Sequence, residues 1–194
     1  MVVKIRKTVI LAGSCLIVLL TLLSCGTGRK ALRLQSEPEV TVEQGGITMS
    51  LRYLDEPSLR KRFGSSENPF LTDYDRLLFR RNVVFELTIR NQSSGTYLFD
   101  LHNCELRYGG KVLAPSNRFQ IATDAENRNE ERKLKARKIS LANQYILPNK
   151  KAVPPGGLLS GFLLFQGNLP STGEAQVVIP GESTGGVFQF QYVF

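Results

Sequence analysis

Alternating apolar and polar residues predict β-strands along most of the chain after residue 39. The clearest run is 82–91, in which Phe85, Leu87 and Ile89 point one way and polar residues point the other. Because successive side chains of a strand lie on opposite faces, such a run buries one face of a sheet. Comparable runs occur at 47–53, 96–101, 175–179 and 187–193. The pattern predicts a mainly β domain built from short strands.

Glycine-rich turns separate the predicted strands. Gly45-Gly46 and Gly109-Gly110 each lie between two apolar runs, as tight β-hairpins require. Pro154–Gly157 forms a corner before 158–165, a nearly continuous apolar run that favours a central strand. Short strands with repeated turns indicate an antiparallel β-sandwich, and a lipocalin-like barrel is the alternative fold.

A short helix is predicted before the third strand. Residues 54–64 include Pro57, which suits the first turn of a helix, and Leu59 and Phe63, whose spacing of four places them on one helical face. Gly64 suits the end of this helix. The segment is long enough for one or two helical turns.

A charged helical insertion is predicted at 116–144, where the β pattern stops. Asp124 is the expected N-cap, and the acidic residues after it precede the basic ones, an order that complements the helix dipole. Only three apolar residues occur between 125 and 138. A helix this polar buries little surface, so we expect a solvated or partly disordered arm.

The first 24 residues have the layout of a secretory signal peptide. Lys4, Arg6 and Lys7 form a basic head, and a nearly unbroken apolar run follows over 8–23. That run is shorter than the roughly 20 residues that cross a bilayer comfortably. An uncleaved single-pass anchor is the alternative interpretation.

The end of this leader, Leu22-Leu23-Ser24-Cys25, resembles the lipobox of bacterial lipoproteins, although Leu23 replaces the commoner small residue. The resemblance implies cleavage before Cys25 and acylation of its sulfur and its amine. Several acyl chains anchor a protein stably, whereas one chain binds only marginally. Gly26 replaces the aspartate that retains such proteins in the inner membrane, which favours the outer membrane.

These features predict three parts: a lipoprotein signal peptide (1–24), a flexible tether (25–38) and a β-sandwich domain (39–194). The run 85–91, the corner and 161–165 together resemble the immunoglobulin-like domains of bacterial envelope lipoproteins. The antibody-type Cys–Trp–Cys core is absent, since the chain contains no tryptophan. The predicted fold is therefore an immunoglobulin-like sandwich outside the antibody type.

Charge argues against a nucleic-acid partner, and the cysteine content argues against a disulfide within the mature chain. The chain has 25 basic and 17 acidic residues, and the leader holds three of the basic ones, which leaves an excess of five positive charges. This excess is too small to indicate a nucleic-acid partner. Cys15 leaves with the leader and Cys25 carries lipid, so Cys104 alone remains as a thiol and no disulfide forms within the mature chain.

Asp100, His102 and Cys104 come nearest to a metal-binding set. They share a face on an extended strand, but the outer two then lie about 13 Å apart, too far to converge on one ion. A polar strand end with a buried thiol is the preferred interpretation. His102 is the only histidine, and Cys-x-x-Cys does not occur. We therefore predict no catalytic residues, no metal and no cofactor.

The predicted function is that of a lipid-anchored envelope protein acting as a binding or structural module. Its membrane contact is through the acyl chains on Cys25, and anionic lipid or another envelope protein is the further partner considered. The residues of the possible patch for an anionic partner are Arg132, Lys133, Lys135, Arg137 and Lys138. A solvated helix face is the other interpretation of this patch. An envelope-polymer hydrolase and a carrier of a lipid or hydrophobic ligand are the alternative functions.

Overall fold

The fold was analysed in a computed structural model that describes residues 30–74, 79–128, 130–181 and 186–194. The predicted signal peptide, the lipobox-like motif and Cys25 lie outside these ranges. Ala31–Phe194 form one structural unit. All of the secondary structure reported below belongs to that unit.

The described residues contain ten strands, and every strand pair is antiparallel. In chain order the strands are β1 (Glu39–Gln44), β2 (Ile47–Leu54), β3 (Arg81–Asn91), β4 (Tyr97–Asp100), β5 (Glu105–Tyr108), β6 (Lys111–Leu113), β7 (Lys150–Val153), β8 (Leu158–Gly167), β9 (Glu174–Gly181) and β10 (Gly186–Val193). The first sheet has the order β1-β2-β3-β8, the second has the order β10-β9-β5-β6, and a small third sheet pairs β4 with β7.

The two four-stranded sheets enclose one apolar core. Phe85 of the first sheet and Tyr192 of the second lie with ring centroids 5.0 Å apart. The Tyr192 hydroxyl also donates a hydrogen bond to the Leu51 carbonyl at 2.5 Å, so a polar contact joins the sheets as well. The strands that the structure describes form open sheets and no closed barrel. The sandwich prediction is confirmed, and the lipocalin-like alternative is wrong.

The first sheet is buried on both faces over part of β3 and β8. Val84, Phe162 and Leu164 point away from the second sheet and join a separate apolar cluster under the helices. β8 ends the strand order of its sheet, although its apolar run was expected to mark a central strand. Continuous apolarity here reflects burial of both faces of β8, which does not require a strand on each side.

The short helix before the third strand is confirmed. Helix α1 (Glu56–Phe63) follows β2, and the Asp55 side chain accepts a hydrogen bond from the Ser58 backbone N–H at 2.9 Å. Pro57 lies in the first turn. Gly64 ends the helix with φ of 76°, a conformation that glycine adopts without strain.

The predicted helical insertion contains two helices, α2 (Arg118–Glu126) and α3 (Arg132–Tyr145). Asn117 caps α2, because its side chain accepts a hydrogen bond from the Gln120 backbone N–H at 2.9 Å. Asp124 lies inside α2, so its assignment as an N-cap is wrong. Asn117 and Gln120 form a capping box at the start of α2. This local hydrogen bonding, rather than the charge pattern after Asp124, sets the start of the helix.

The expectation of a solvated or disordered arm is also wrong. Leu141 and Ala142 of α3 are 2% and 0% exposed, and Ile121 of α2 is buried with them. They pack in the cluster that contains Phe162 and Leu164. The insertion therefore covers part of the outer face of the first sheet, over β3 and β8, and adds a third layer there.

The tether prediction over 25–38 extends too far into the domain. Leu32 is buried in the main core, and Leu34 packs against it. The Gln35 backbone N–H donates to the Val193 carbonyl at 2.8 Å. In the described part of the chain, the segment from Ala31 onward is thus attached to the sandwich.

Candidate functional site

A groove of about 850 Å³ lies between the start of the domain and its first helix. We call it the anchor-side groove. Its walls come from 31–38, from the end of β2 and from α1. Half of its lining is apolar, with Leu32, Leu59 and Tyr53 buried at its base.

Backbone contacts hold the outer wall in place. In addition to the Gln35 contact, the Val193 backbone N–H donates to the Ser36 hydroxyl at 3.2 Å. The Tyr53 backbone N–H donates to the Pro38 carbonyl at 2.8 Å. The wall is therefore fixed to β2 on one side and to β10 on the other.

Two arginines of the groove share one carboxylate. Arg62 lies 3.1 Å from Glu86, and Arg52 donates a hydrogen bond to the same side chain. Burial alone would raise the pKa of Glu86, but the hydrogen bonds from the two arginines outweigh burial and hold that pKa below its usual value. Two positive charges thus face one negative charge at this wall.

Arg62 is further held by aromatic rings. Its guanidinium carbon lies 5.2 Å from the ring centroid of Phe63, 5.0 Å from that of Tyr145 and 5.2 Å from that of Phe162. Such contacts are cation–π interactions. Arg62 therefore has a structural role in addition to its place in the groove.

The acidic residues of the groove are already engaged. Asp55 caps α1 through the Ser58 backbone N–H. Glu56 accepts a hydrogen bond from the Tyr74 hydroxyl at 2.6 Å. Burial, together with this contact to Glu56, raises the pKa of Tyr74 to about 12. Both carboxylates therefore serve local structure.

Arg33 adds a third guanidinium to the groove. It is exposed, lies between Leu32 and Leu34 in the chain, and makes no ion pair with a described residue. The three arginines of the lining are matched by three carboxylates, those of Asp55 and Glu56 in the lining and that of Glu86 beside it. The groove therefore combines apolar side chains with charged groups of both signs.

The five residues of the predicted basic patch differ in exposure, and three of them are exposed. Lys138 is 6% exposed, and its ammonium group donates to both carboxylate oxygens of Glu130 at 2.7 and 2.8 Å. Lys135 donates to the Glu126 carbonyl at 2.8 Å. The remaining three residues of the patch, Arg132, Lys133 and Arg137, are exposed, with Arg137 3.5 Å from Glu67.

Asp100, His102 and Cys104 do not share the face of an extended strand, because Leu101–Asn103 form a 3₁₀ turn. His102 lies 3.3 Å from Asp100 and is more than half exposed, whereas Cys104 is buried. No group of three or more potential metal ligands occurs among the described residues. Asp100 instead joins the turn to β7 through Lys150, at 3.2 Å.

The anchor-side groove was not predicted from the sequence. The available signal was the alternation of Leu32, Arg33 and Leu34 within the presumed tether. That signal is only three residues long, and the contacts that bury Leu32 come from distant parts of the chain.

Comparisons with known proteins assign no family to the chain. The sequence matches no family model and no curated protein. Among the described residues, no helix is both long enough and apolar enough to span a membrane.

Among the solved structures, several are weakly similar to the chain, and three of them are described here. The Bacillus subtilis protein YcdA, provisionally described as a lipoprotein, is 10% identical with a TM-score of 0.46, and the match covers 81% of this chain and 38% of that one. The Bacillus subtilis YjhA protein is 11% identical with a TM-score of 0.42, covering 77% and 93%. A functionally unknown protein from Listeria monocytogenes EGD-e is 11% identical with a TM-score of 0.44, covering 85% and 86%. Similarity at this level transfers no activity to the chain.

Proposed function

We propose that the chain is a lipid-anchored protein of the cell envelope whose sandwich acts as a binding module through the anchor-side groove. The observation that carries the proposal is the position of the groove. Its first lining residue, Ala31, follows Cys25 of the lipobox by six residues. Its volume of about 850 Å³ lies within the range of about 300–1,000 Å³ that is usual for ligand sites.

The attachment rests on the leader. A basic head, an apolar run and Leu22-Leu23-Ser24-Cys25 occur in the order that lipoprotein processing requires. Acyl chains on Cys25 replace a membrane-spanning segment. The glycine at position 26 supports the outer membrane as the destination.

Binding fits the groove better than catalysis does. Polymer hydrolysis by a glycosidase-type mechanism needs two carboxyl groups that face the substrate. Asp55 and Glu56 are adjacent in the chain and are committed to a helix cap and to Tyr74. The space between the sheets is filled by aromatic and aliphatic side chains, which supports a surface groove over a carrier cavity inside the sandwich.

The anchoring is tested by metabolic labelling with palmitate followed by membrane fractionation. Cys25→Ser is expected to lose the label and to remain as the precursor that keeps residues 1–24. Cys104→Ser is the matched control, because it removes the other mature cysteine and is expected to keep the label. A processed Cys25→Ser protein that stays in the membrane fraction would contradict the proposal.

The binding role of the groove is tested by crosslinking in intact cells. A photoreactive residue placed at Ser58, an exposed groove position, is expected to give a discrete adduct. The same residue at Val112, which is 62% exposed on β6, is the control for random encounters. Identical adducts from the two positions, or none from Ser58, would argue against a ligand in the groove.

A further inference from the structure

We propose that the free edge of β7 binds an extended acidic segment of another protein, which joins the β4–β7 sheet as a third strand. Lys150, Lys151 and Ala152 form this edge, and none of them lines the anchor-side groove. The inference therefore goes beyond the proposed function and does not rest on it.

The backbone groups at this edge point away from β4. The Leu101 backbone N–H donates to the Asn149 carbonyl at 2.8 Å, which fixes the pairs of β4 and β7 that exchange hydrogen bonds. Such pairs alternate along an antiparallel ladder, so Lys151 belongs to the next bonded pair, whereas Lys150 and Ala152 direct their backbone groups outward. Lys150 and Ala152 therefore each offer one N–H donor and one carbonyl acceptor to an added strand.

The end strands β8 and β10 differ from β7 because backbone segments cover them. The Leu147 backbone N–H donates to the Phe162 carbonyl of β8 at 3.2 Å, and the Gln35 backbone N–H donates to the Val193 carbonyl of β10 at 2.8 Å. In the described part of the chain the third sheet contains β4 and β7 alone, and residues 150–152 are exposed. The edge of β7 is thus accessible to another strand.

Charge at this edge favours an acidic occupant. β4, β7 and the 3₁₀ turn after β4 contain two lysines and one carboxylate, that of Asp100. Asp100 accepts a hydrogen bond from the His102 backbone N–H at 2.9 Å and lies 3.2 Å from Lys150. Lys151 is exposed and makes no ion pair with a described residue. A carboxylate opposite Lys151 would therefore form a cross-strand pair of opposite charges.

Ala152 and Leu98 provide an apolar contact on the other face of the edge. They lie opposite each other in the ladder, and Leu98 is 50% exposed. Both line a depression of about 220 Å³. Because successive residues of a strand face opposite ways, a segment with adjacent apolar and acidic residues places the first beside Ala152 and the second beside Lys151.

The lysines also disfavour pairing of β7 with the same strand of a second copy. Each copy contributes Lys150 and Lys151, so the pairing brings like charges together across two strands. Lysine on an exposed edge strand opposes self-association for this reason. A different, acidic partner gains from the same side chains.

The test uses the full mature chain in detergent and two end-blocked probe peptides, Ser-Thr-Val-Glu-Val-Thr-Ser and its analogue with lysine in place of glutamate. Hydrogen exchange resolved to single residues is expected to slow at Lys150 and Ala152 when the glutamate probe binds, because their N–H groups become hydrogen-bonded. Fluorescence anisotropy of labelled probes measures affinity. The lysine probe is expected to bind about fivefold more weakly.

Three variants separate charge recognition from strand addition. Lys151→Glu is expected to reverse the preference between the probes, and Lys133→Glu, the same charge change at an exposed position of α3, is expected to keep it. Ala152→Pro removes an outward N–H and no hydrogen bond of the β4–β7 ladder, so it is expected to weaken both probes about fivefold. The melting temperature of Ala152→Pro checks its fold, and the two charge variants do not depend on it.

Unchanged exchange at Lys150 and Ala152 with the glutamate probe would overturn the proposal. Equal preferences in Lys151→Glu and Lys133→Glu would overturn it as well. Protection of the two amides that rises with protein concentration in the absence of a probe would identify a second copy as the occupant and overturn the acidic segment. The Ser58 crosslink tests the anchor-side groove separately, so either proposal can fail alone.

Discussion

The guanidinium carbon of Arg62 lies 5.0 Å from the ring centroid of Tyr145. Arg62 belongs to α1 and Tyr145 ends α3, so this contact joins the helix beside the groove to the helical insertion. The Tyr145 ring also stacks on Phe162 of β8, with centroids 5.3 Å apart. One aromatic cluster therefore supports the groove wall, the insertion and the outer face of the first sheet together.

Tyr145→Ala is expected to lower the free energy of unfolding by about 2–4 kcal/mol, because it removes a large ring from this cluster. Phe119→Ala is the control: it also removes an aromatic ring from the insertion, but Phe119 is 78% exposed. The control is expected to change stability by no more than about 0.5 kcal/mol. Urea denaturation followed by circular dichroism measures both. Equal effects would show that the insertion does not pack on the sandwich.

The sequence predicted the strands better than it predicted the layer above them. Alternation in 82–91 follows from one face of β3 meeting the core, and this is a local property of the chain. The insertion was judged from 125–138, which is polar, whereas its buried side chains include Leu141 and Ala142 further along. Leu141 and Ala142 pack in one cluster with Phe162 of β8. The alternation of apolar and polar residues does not show that a helix covers this strand.

The buried ion pair of the insertion gives a second stability prediction. Glu130→Ala leaves the Lys138 ammonium group buried without its carboxylate partner and is expected to cost about 1–3 kcal/mol. Lys138→Met removes the charge and keeps an apolar chain of similar length, so a smaller cost is expected. Urea denaturation of the two single variants and the double variant measures the coupling. A larger cost for Lys138→Met would contradict this account.

The shared carboxylate of the groove predicts a dependence of stability on pH. The hydrogen bonds from Arg52 and Arg62 hold the pKa of Glu86 below its usual value in the folded protein, despite burial. Its contribution to stability is therefore complete above the unfolded-state pKa of about 4.3 and is lost as the pH falls through the folded-state pKa. Glu86→Gln is expected to flatten the fall of the melting temperature below about pH 4.3.

Glu43→Gln is the comparison for this experiment, because it removes an exposed carboxylate of β1. Below about pH 4.3 the melting temperature of this variant is expected to fall with pH as it does in the unmodified chain. If the melting temperature of Glu86→Gln falls with pH as steeply as that of the unmodified chain, the shared carboxylate does not stabilise the fold.

The groove depends on tertiary contacts that the composition of the chain does not indicate. Residues 25–38 are polar enough to predict a tether, yet the Leu32 side chain enters the main core and Gln35 pairs with the backbone of Val193. Gln35 and Val193 lie at opposite ends of the domain sequence. The short alternation of Leu32, Arg33 and Leu34 is therefore the sole local sign that these residues form a wall.

Leu32→Ala is expected to destabilise the domain by about 2–3 kcal/mol and to loosen this wall, since Leu32 is 8% exposed at the base of the groove. Hydrogen exchange at the Gln35 amide, which donates to Val193, reports the loosening directly. Arg33→Ala is the neighbouring control and is expected to leave that exchange rate unchanged. Unaltered exchange in Leu32→Ala would mean that the backbone contacts alone hold the wall.

Cys104 gives a prediction about thiol chemistry that combines its burial with the proposed acylation of Cys25. Burial raises the pKa of the Cys104 thiol to about 12, so at neutral pH the thiolate that reacts with reagents is scarce. The thiol also donates to the Asp100 carbonyl, with a distance of 3.6 Å between sulfur and oxygen. Ellman's reagent is therefore expected to find no reactive thiol in the native acylated protein and a single one after denaturation. A reactive thiol in the native protein would mean that either Cys25 lacks its lipid or Cys104 is accessible, and Cys104→Ser distinguishes these two cases.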